Sequence, residues 1–130
     1  MLRSAVIETL KARVAALGGR VYEAFLVPVD AGKPYASVKL AGERGSPSIG
    51  FAGDQAVEVR LYTRQTSFGD LDLLEGAVMA ALNGTEITDS GDGSRYCLEA
   101  GPGRGDFVEA DKIGRLLTFD SAVIHEPGGA

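Results

Sequence analysis

One cysteine and one histidine are all that these 130 residues contain of the two side chains that dominate zinc sites. Cys97 has no second thiol to pair with in its own chain. Together with His125 it falls two ligands short of a four-coordinate zinc site. No uninterrupted apolar run approaches the ~20 residues that cross a bilayer, because Arg3, Glu8, Lys11 and Arg13 break up the N-terminal apolar stretch. That stretch lacks the pattern of a secretory signal, so folding in a reducing cytoplasm is expected. Basic side chains are also in deficit. Lys and Arg number 13 against 18 Asp and Glu, a net charge of −5, which disfavours tight sequence-independent binding to nucleic acid.

What is present suits one ordinary domain spanning residues 1–130. The chain is 45% hydrophobic and 24% charged, near the globular average, and long enough to bury a core without staples. Glycine is the outlier: 18 residues, about twice the usual ~7%, concentrated where loops are expected. Charge is unevenly placed. Residues 1–65 carry nine basic and six acidic side chains (+3), and residues 66–130 carry four and twelve (−8). In a head-to-tail ring, such asymmetry lets a positive face on one subunit meet a negative face on the next. Solvated scatter of charge is the plainer alternative.

Periodicity places the elements. Leu2, Val6, Leu10, Val14 and Leu17 form one stripe of a helix over 2–17, stopped by Gly18-Gly19, with Glu8 and Lys11 spaced as an ion pair on the outer side. Arg20 to Val27 reads as a strand covered on both faces, with a turn over 29–34. Tyr35 to Ala41 reads as a half-buried strand with Ala36, Val38 and Leu40 inward. A glycine-rich loop spans 42–54, and the clearest strand runs from Gln55 to Tyr62. A second helix, capped by Ser67, buries Leu71, Leu74, Val78, Ala81 and Leu82 and ends at Asn83-Gly84. Strands over 85–88 and 95–100 make a hairpin. A loop follows at 101–105, then a strand over 112–125 and a loose tail over 126–130. The expected fold is α+β, in the order α-β-β-β-α-β-β-β, with two helices packed on one face of a mostly antiparallel sheet.

The same pattern argues against catalysis. Gly-x-Ser-x-Gly is absent, and His125, the obvious acid–base candidate, sits at a strand end. Cys97 reads as a small buried side chain. Gly101-x-Gly103-x-Gly105 leads into a strand, whereas a dinucleotide loop leads into a helix. Asp89 to Ser94 lacks the register of a calcium loop and reads as a turn. No cofactor and no metal are expected.

Certain segments nonetheless have a family resemblance. The opening Val6-Ile7-Glu8-Thr9-Leu10-Lys11-Ala12 leads through Gly18-Gly19-Arg20-Val21-Tyr22. Pro34-Tyr35-Ala36-Ser37-Val38 and Val57-Glu58-Val59-Arg60-Leu61-Tyr62-Thr63-Arg64 follow. Val78-Met79-Ala80-Ala81-Leu82-Asn83-Gly84 and Gly114-Arg115-Leu116-Leu117-Thr118-Phe119 complete the series. In order and spacing, over roughly residues 2–125, the chain resembles the tail terminator (tail-completion) proteins of long-tailed bacteriophages. The resemblance implies a non-enzymatic homo-oligomeric ring, typically a hexamer, in the virion tail, assembled in the bacterial host cytoplasm. Its partners would be further copies of itself, the tail tube protein and the head–tail connector protein, with DNA passing through without sequence-specific contact. Arg44, Ile49 and Phe51 in the 42–54 loop, with Arg104 and Phe107 farther on, are the candidate contact residues. Alternatives are a head–tail connector or minor tail component and, in a different class, a small ligand-binding domain or enzyme built on the sheet face.

Overall fold

The computed structural model describes residues 1–41, 55–64 and 68–125. Helix α1 spans Leu2–Arg13, followed by a 3-10 turn at Ala15–Leu17. The remaining elements are β1 (Val21–Glu23), β2 (Tyr35–Ala41), β3 (Gln55–Arg64), α2 (Phe68–Leu82), β4 (Thr85–Thr88), β5 (Arg95–Glu109) and β6 (Lys112–His125). They form an α+β fold with one six-stranded sheet in the order β1-β2-β3-β6-β5-β4. Both helices pack on one face, and only the β1–β2 pairing is parallel. The Ser67 cap, the 42–54 loop with Arg44, Ile49 and Phe51, and the 126–130 tail lie outside the described residues.

The core follows from the two periodicities. Along β3, Val57, Val59 and Leu61 are fully buried, and the register sets them beside Phe119, Leu117 and Arg115 of β6. Along β2, Ala36, Val38 and Leu40 point the same way, toward Leu2, Val6 and Leu10 of α1 and Leu71, Leu74 and Val78 of α2. Every member of both expected helical stripes is buried. The regular part of α1 is nonetheless four residues shorter than the spacing suggests. Val14 leaves helical geometry at φ −111°, ψ 88°, the 3-10 turn carries Leu17 into the core, and Gly18 closes it at φ +57°. Glu8 departs from the expected pairing with Lys11. Its carboxylate instead accepts from the Ser90 hydroxyl at 2.5 Å and the Ser90 amide at 3.1 Å, tying the 89–94 turn to α1.

Three strand expectations need correction. The covered strand expected over 20–27 is only three residues long. A hydrogen bond from the Leu26 amide to the Glu23 carbonyl turns the chain, Phe25 sits at φ +70°, and Phe25, Leu26 and Val29 end up exposed. Because β1 and β2 are parallel, the chain leaving β1 must run back before β2 begins. Residues 24–34 therefore border the helix-free face, and Tyr35 and Ser37, on what sequence alternation marks as the solvent side of β2, are buried. The loop expected over 101–105 is part of β5, which continues to Glu109 with its register shifted between Ala100 and Arg104. Gly103 is required at that irregularity: a Cβ there would come within 2.9 Å of the Thr118 side chain, whose hydroxyl donates to the Gly103 carbonyl at 2.7 Å. Finally, Cys97 is half-buried and not a core residue, since its neighbours Tyr96 and Leu98 take the inward positions.

Candidate assembly surfaces

The helix-free face carries a row of aromatic rings supplied by four strands and passing over a fifth. Tyr22 on β1 meets Tyr35 on β2 edge-on, with ring centroids 6.0 Å apart. Tyr35 stacks on Tyr62 of β3 at 4.7 Å, and Tyr62 meets Phe107 of β5 edge-on at 5.5 Å. Between Tyr62 and Phe107 the register places Gly114 of β6. The Phe107 ring occupies the volume that a Gly114 side chain would need, so the ladder closes over a backbone. Lys112 holds its ammonium 5.6 Å from the Tyr35 ring centroid and 5.3 Å from that of Tyr62, within cation–π range.

Beside this ladder lies an open groove of about 610 Å³. Tyr35, Ser37 and Tyr62 line it from the sheet, Phe25, Pro28 and Val29 from the 24–34 segment, and Lys33, Lys39, Arg60 and Lys112 supply positive charge against Glu109 and Asp111. Lys33 bonds Asp111 at 2.9 Å, holding that carboxyl below its ordinary value. The Lys39 ammonium lies 5.5 Å from the Phe25 ring centroid. Burial, then the charge of Glu109, pushes the Tyr62 phenol up, so it stays neutral at physiological pH. A hydrogen bond with the Tyr35 hydroxyl likewise raises the Lys112 ammonium. Glu58 pairs with Arg60 at 3.0 Å, so the four cations exceed the three carboxylates by one, over an aromatic floor.

The helix-covered side carries the opposite charge near the β5 edge. Arg115 of β6, only 4% exposed, is the one arginine buried among the described residues. Its guanidinium grips Asp106 of β5 in bidentate fashion, Nε at 2.5 Å and Nη2 at 3.0 Å, while Nη1 reaches Asp72 at 2.7 Å and Glu75 at 2.8 Å on α2. Arg104 adds a bond to Glu75 at 2.6 Å. The Arg115 hydrogen bond holds Asp106 below the usual carboxylate range. Three acidic side chains against two arginines give the cluster a formal charge of −1. This network latches α2 onto β5 and β6. Two residues on from Asp106 along β5 stands an exposed apolar residue, Val108, while Leu73, exposed on α2, borders a separate hollow with Ala16, Thr63 and Arg64.

Of the candidate contact residues, Arg104 and Phe107 are described, and they serve different surfaces. Arg104 faces α2 through Glu75, and Phe107 ends the aromatic ladder on the other face. Sequence reasoning missed Phe25, Leu26, Val29, Leu73 and Val108. Each looks like core by composition, and exposure is decided by a turn or a helix phase. Among the described residues, no group of three or more His, Cys, Asp or Glu side chains is placed to hold a metal, and no helix is long and apolar enough to cross a membrane.

No family model and no curated protein matches the sequence. The fold does have a counterpart among solved structures. It is similar to a chain of the structure described as "Virion of native gene transfer agent (GTA) particle", with a TM-score of 0.66 and 24% sequence identity. The match covers 94% of this chain and 93% of that one. At that identity the likeness speaks for the fold, which is shared almost end to end.

Proposed function

We propose that this chain is a structural component of a phage-like particle and, more finely, that it acts as a tail terminator. In this reading the protein is a single domain that assembles as a homo-oligomeric ring of six. The ring caps the tail tube, ends tube polymerisation and offers the head-side connector its docking surface. The observation that carries the reading is the near full-length fold likeness to a chain from a virion-like particle. The resemblance in segment order to tail terminators supports the finer role. No catalytic step is assigned, and the chemistry of the described surfaces suits protein contacts: mixed charge around exposed apolar anchors.

The test is direct. Purified protein is measured by mass photometry and negative-stain microscopy, alone and with assembled tail tubes. Rings, or density at one tube end with halted elongation, are expected. A monomer that leaves tube growth unchanged sinks the terminator role. Binding to a head connector but not to tubes would move the protein along the particle axis to a connector role.

A further inference from the structure

The two surfaces described above are opposite in charge and lie on opposite faces of one sheet. The basic groove lies on the helix-free face, between the 24–34 segment and the Glu109–Lys112 end of the β5–β6 hairpin. The acidic ridge belongs to the outer side of β5, beyond the reach of β4, which pairs with Arg95–Leu98 alone. Each surface carries exposed apolar residues: Phe25 (88%) and Val29 (108%) beside the groove, and Val108 (67%) on the ridge. None of the three adds to the core. Apolar anchors ringed by matching charge are how protein interfaces combine affinity with orientation.

Phe25 sharpens the point. At φ +70° it occupies backbone space that a bulky side chain avoids, and the result is a phenyl ring held in solvent beside Lys39. Glycine would serve that turn better. A residue that costs the fold and contributes nothing to the core has its use elsewhere.

We propose that the basic groove of one copy receives the acidic ridge of a second copy, Phe25 and Val29 packing against Val108 while Lys39 and Arg60 face Asp72 and Asp106. Because the two surfaces differ, the contact is head-to-tail, and repeating it closes a ring if the rotation per copy permits. The inference rests on the oligomeric reading above and deepens it by naming the contact. It also gives the lopsided charge of the two halves of the sequence a location, since Lys33, Lys39 and Arg60 come from the first half and Asp72, Glu75 and Asp106 from the second.

Three variants test it by sedimentation velocity and mass photometry, in low salt and in about 0.5 M salt, where the Debye length falls to a few ångströms. Lys39→Glu reverses charge in the groove. Val108→Lys places a cation on the ridge without touching the Arg115 network. Each is expected to weaken self-association at least about tenfold, the scale of one interface anchor, and the double variant to recover a substantial part. Phe25→Gly is expected to weaken association similarly while its melting temperature stays level or rises, an outcome that a merely structural role would not give. High salt should weaken the wild-type assembly. If rings form and both charge variants assemble like wild type, or the double variant recovers nothing, the surface pairing is wrong and the ring reading stands. If the wild type stays monomeric with and without tube protein, both fall.

Discussion

The two faces of the sheet are built on different principles. The covered face is finished: Leu61, Val59, Phe119 and Leu117 are sealed beneath α1 and α2, and Arg115, its one buried cation among the described residues, has carboxylates on both α2 and β5. The helix-free face is finished only in part. An aromatic row seals its middle, and beside that row an open cationic groove is edged by Phe25 and Val29 in water. Folding energy comes from the first face. What the second face leaves uncovered is material for a partner, because burial of exposed apolar surface is the general source of association energy.

The largest expected effect falls on the covered face. Phe119 is fully buried at the centre of the sheet, so Phe119→Ala should cost about 3–5 kcal/mol through lost transfer energy plus the cavity left behind. Denaturant unfolding measures it. Val29→Ser, on the other face, should shift the monomer by no more than about 0.5 kcal/mol. Equal costs at the two positions would break the contrast between a load on folding and a load on contact.

A smaller effect probes the part of the helix-free face that is closed. A methyl group at Gly114 would collide with the Phe107 ring, whereas one at Gly105 would meet open space. Gly114→Ala should therefore destabilise by about 1–3 kcal/mol, the range for overpacking, and disturb the near-ultraviolet signal of the tyrosine ladder. Gly105→Ala should be close to neutral. If Gly114→Ala were tolerated with an unchanged aromatic signal, the ladder would be a loose contact and not a structural seam.

These sites also show how far the sequence can be read. Element order, both helical stripes and the inward residues of β2 and β3 follow from period alone, because burial against a common core imposes it. The β5–β6 hairpin does not. Its two-residue turn is Ala110-Asp111, with Ala110 at φ +52°, and it lacks the Asn-Gly or Asp-Gly signal that marks such turns. Residues 104–109 mix polar and apolar side chains on both sides, with Phe107 and Val108 adjacent, so no alternation announces a strand. The candidate surfaces were least legible. Phe25 and Leu73 are apolar residues in apolar contexts, and only a positive φ in one case and helix phase in the other turn them outward. Arg104 and Phe107 were singled out for their chemistry, but an irregularity between Ala100 and Arg104 decides which face each one serves.

The smallest effect is expected from acid, and it again separates the regions. Four carboxyls are held below their ordinary values: Glu8 by Ser90, Asp92 at about 2 by the Ser94 amide and the Met1 amino group, Asp106 by Arg115, and Asp111 by Lys33. Each binds its proton more weakly when folded than when unfolded. Its stabilisation is therefore complete above the unfolded value near 4 and is lost as pH falls through the folded value toward 2. Melting temperature should fall across that window, modestly, because all four groups are well solvated. Asp106→Asn should remove more of this acid dependence than Asp111→Asn, because its partner Arg115 is buried whereas Lys33 is only partly so. A melting temperature that holds level from pH 4 to 2, or a larger change from Asp111→Asn, would mean that the acidic latch over α2 contributes no more to folding than a surface ion pair beside the groove.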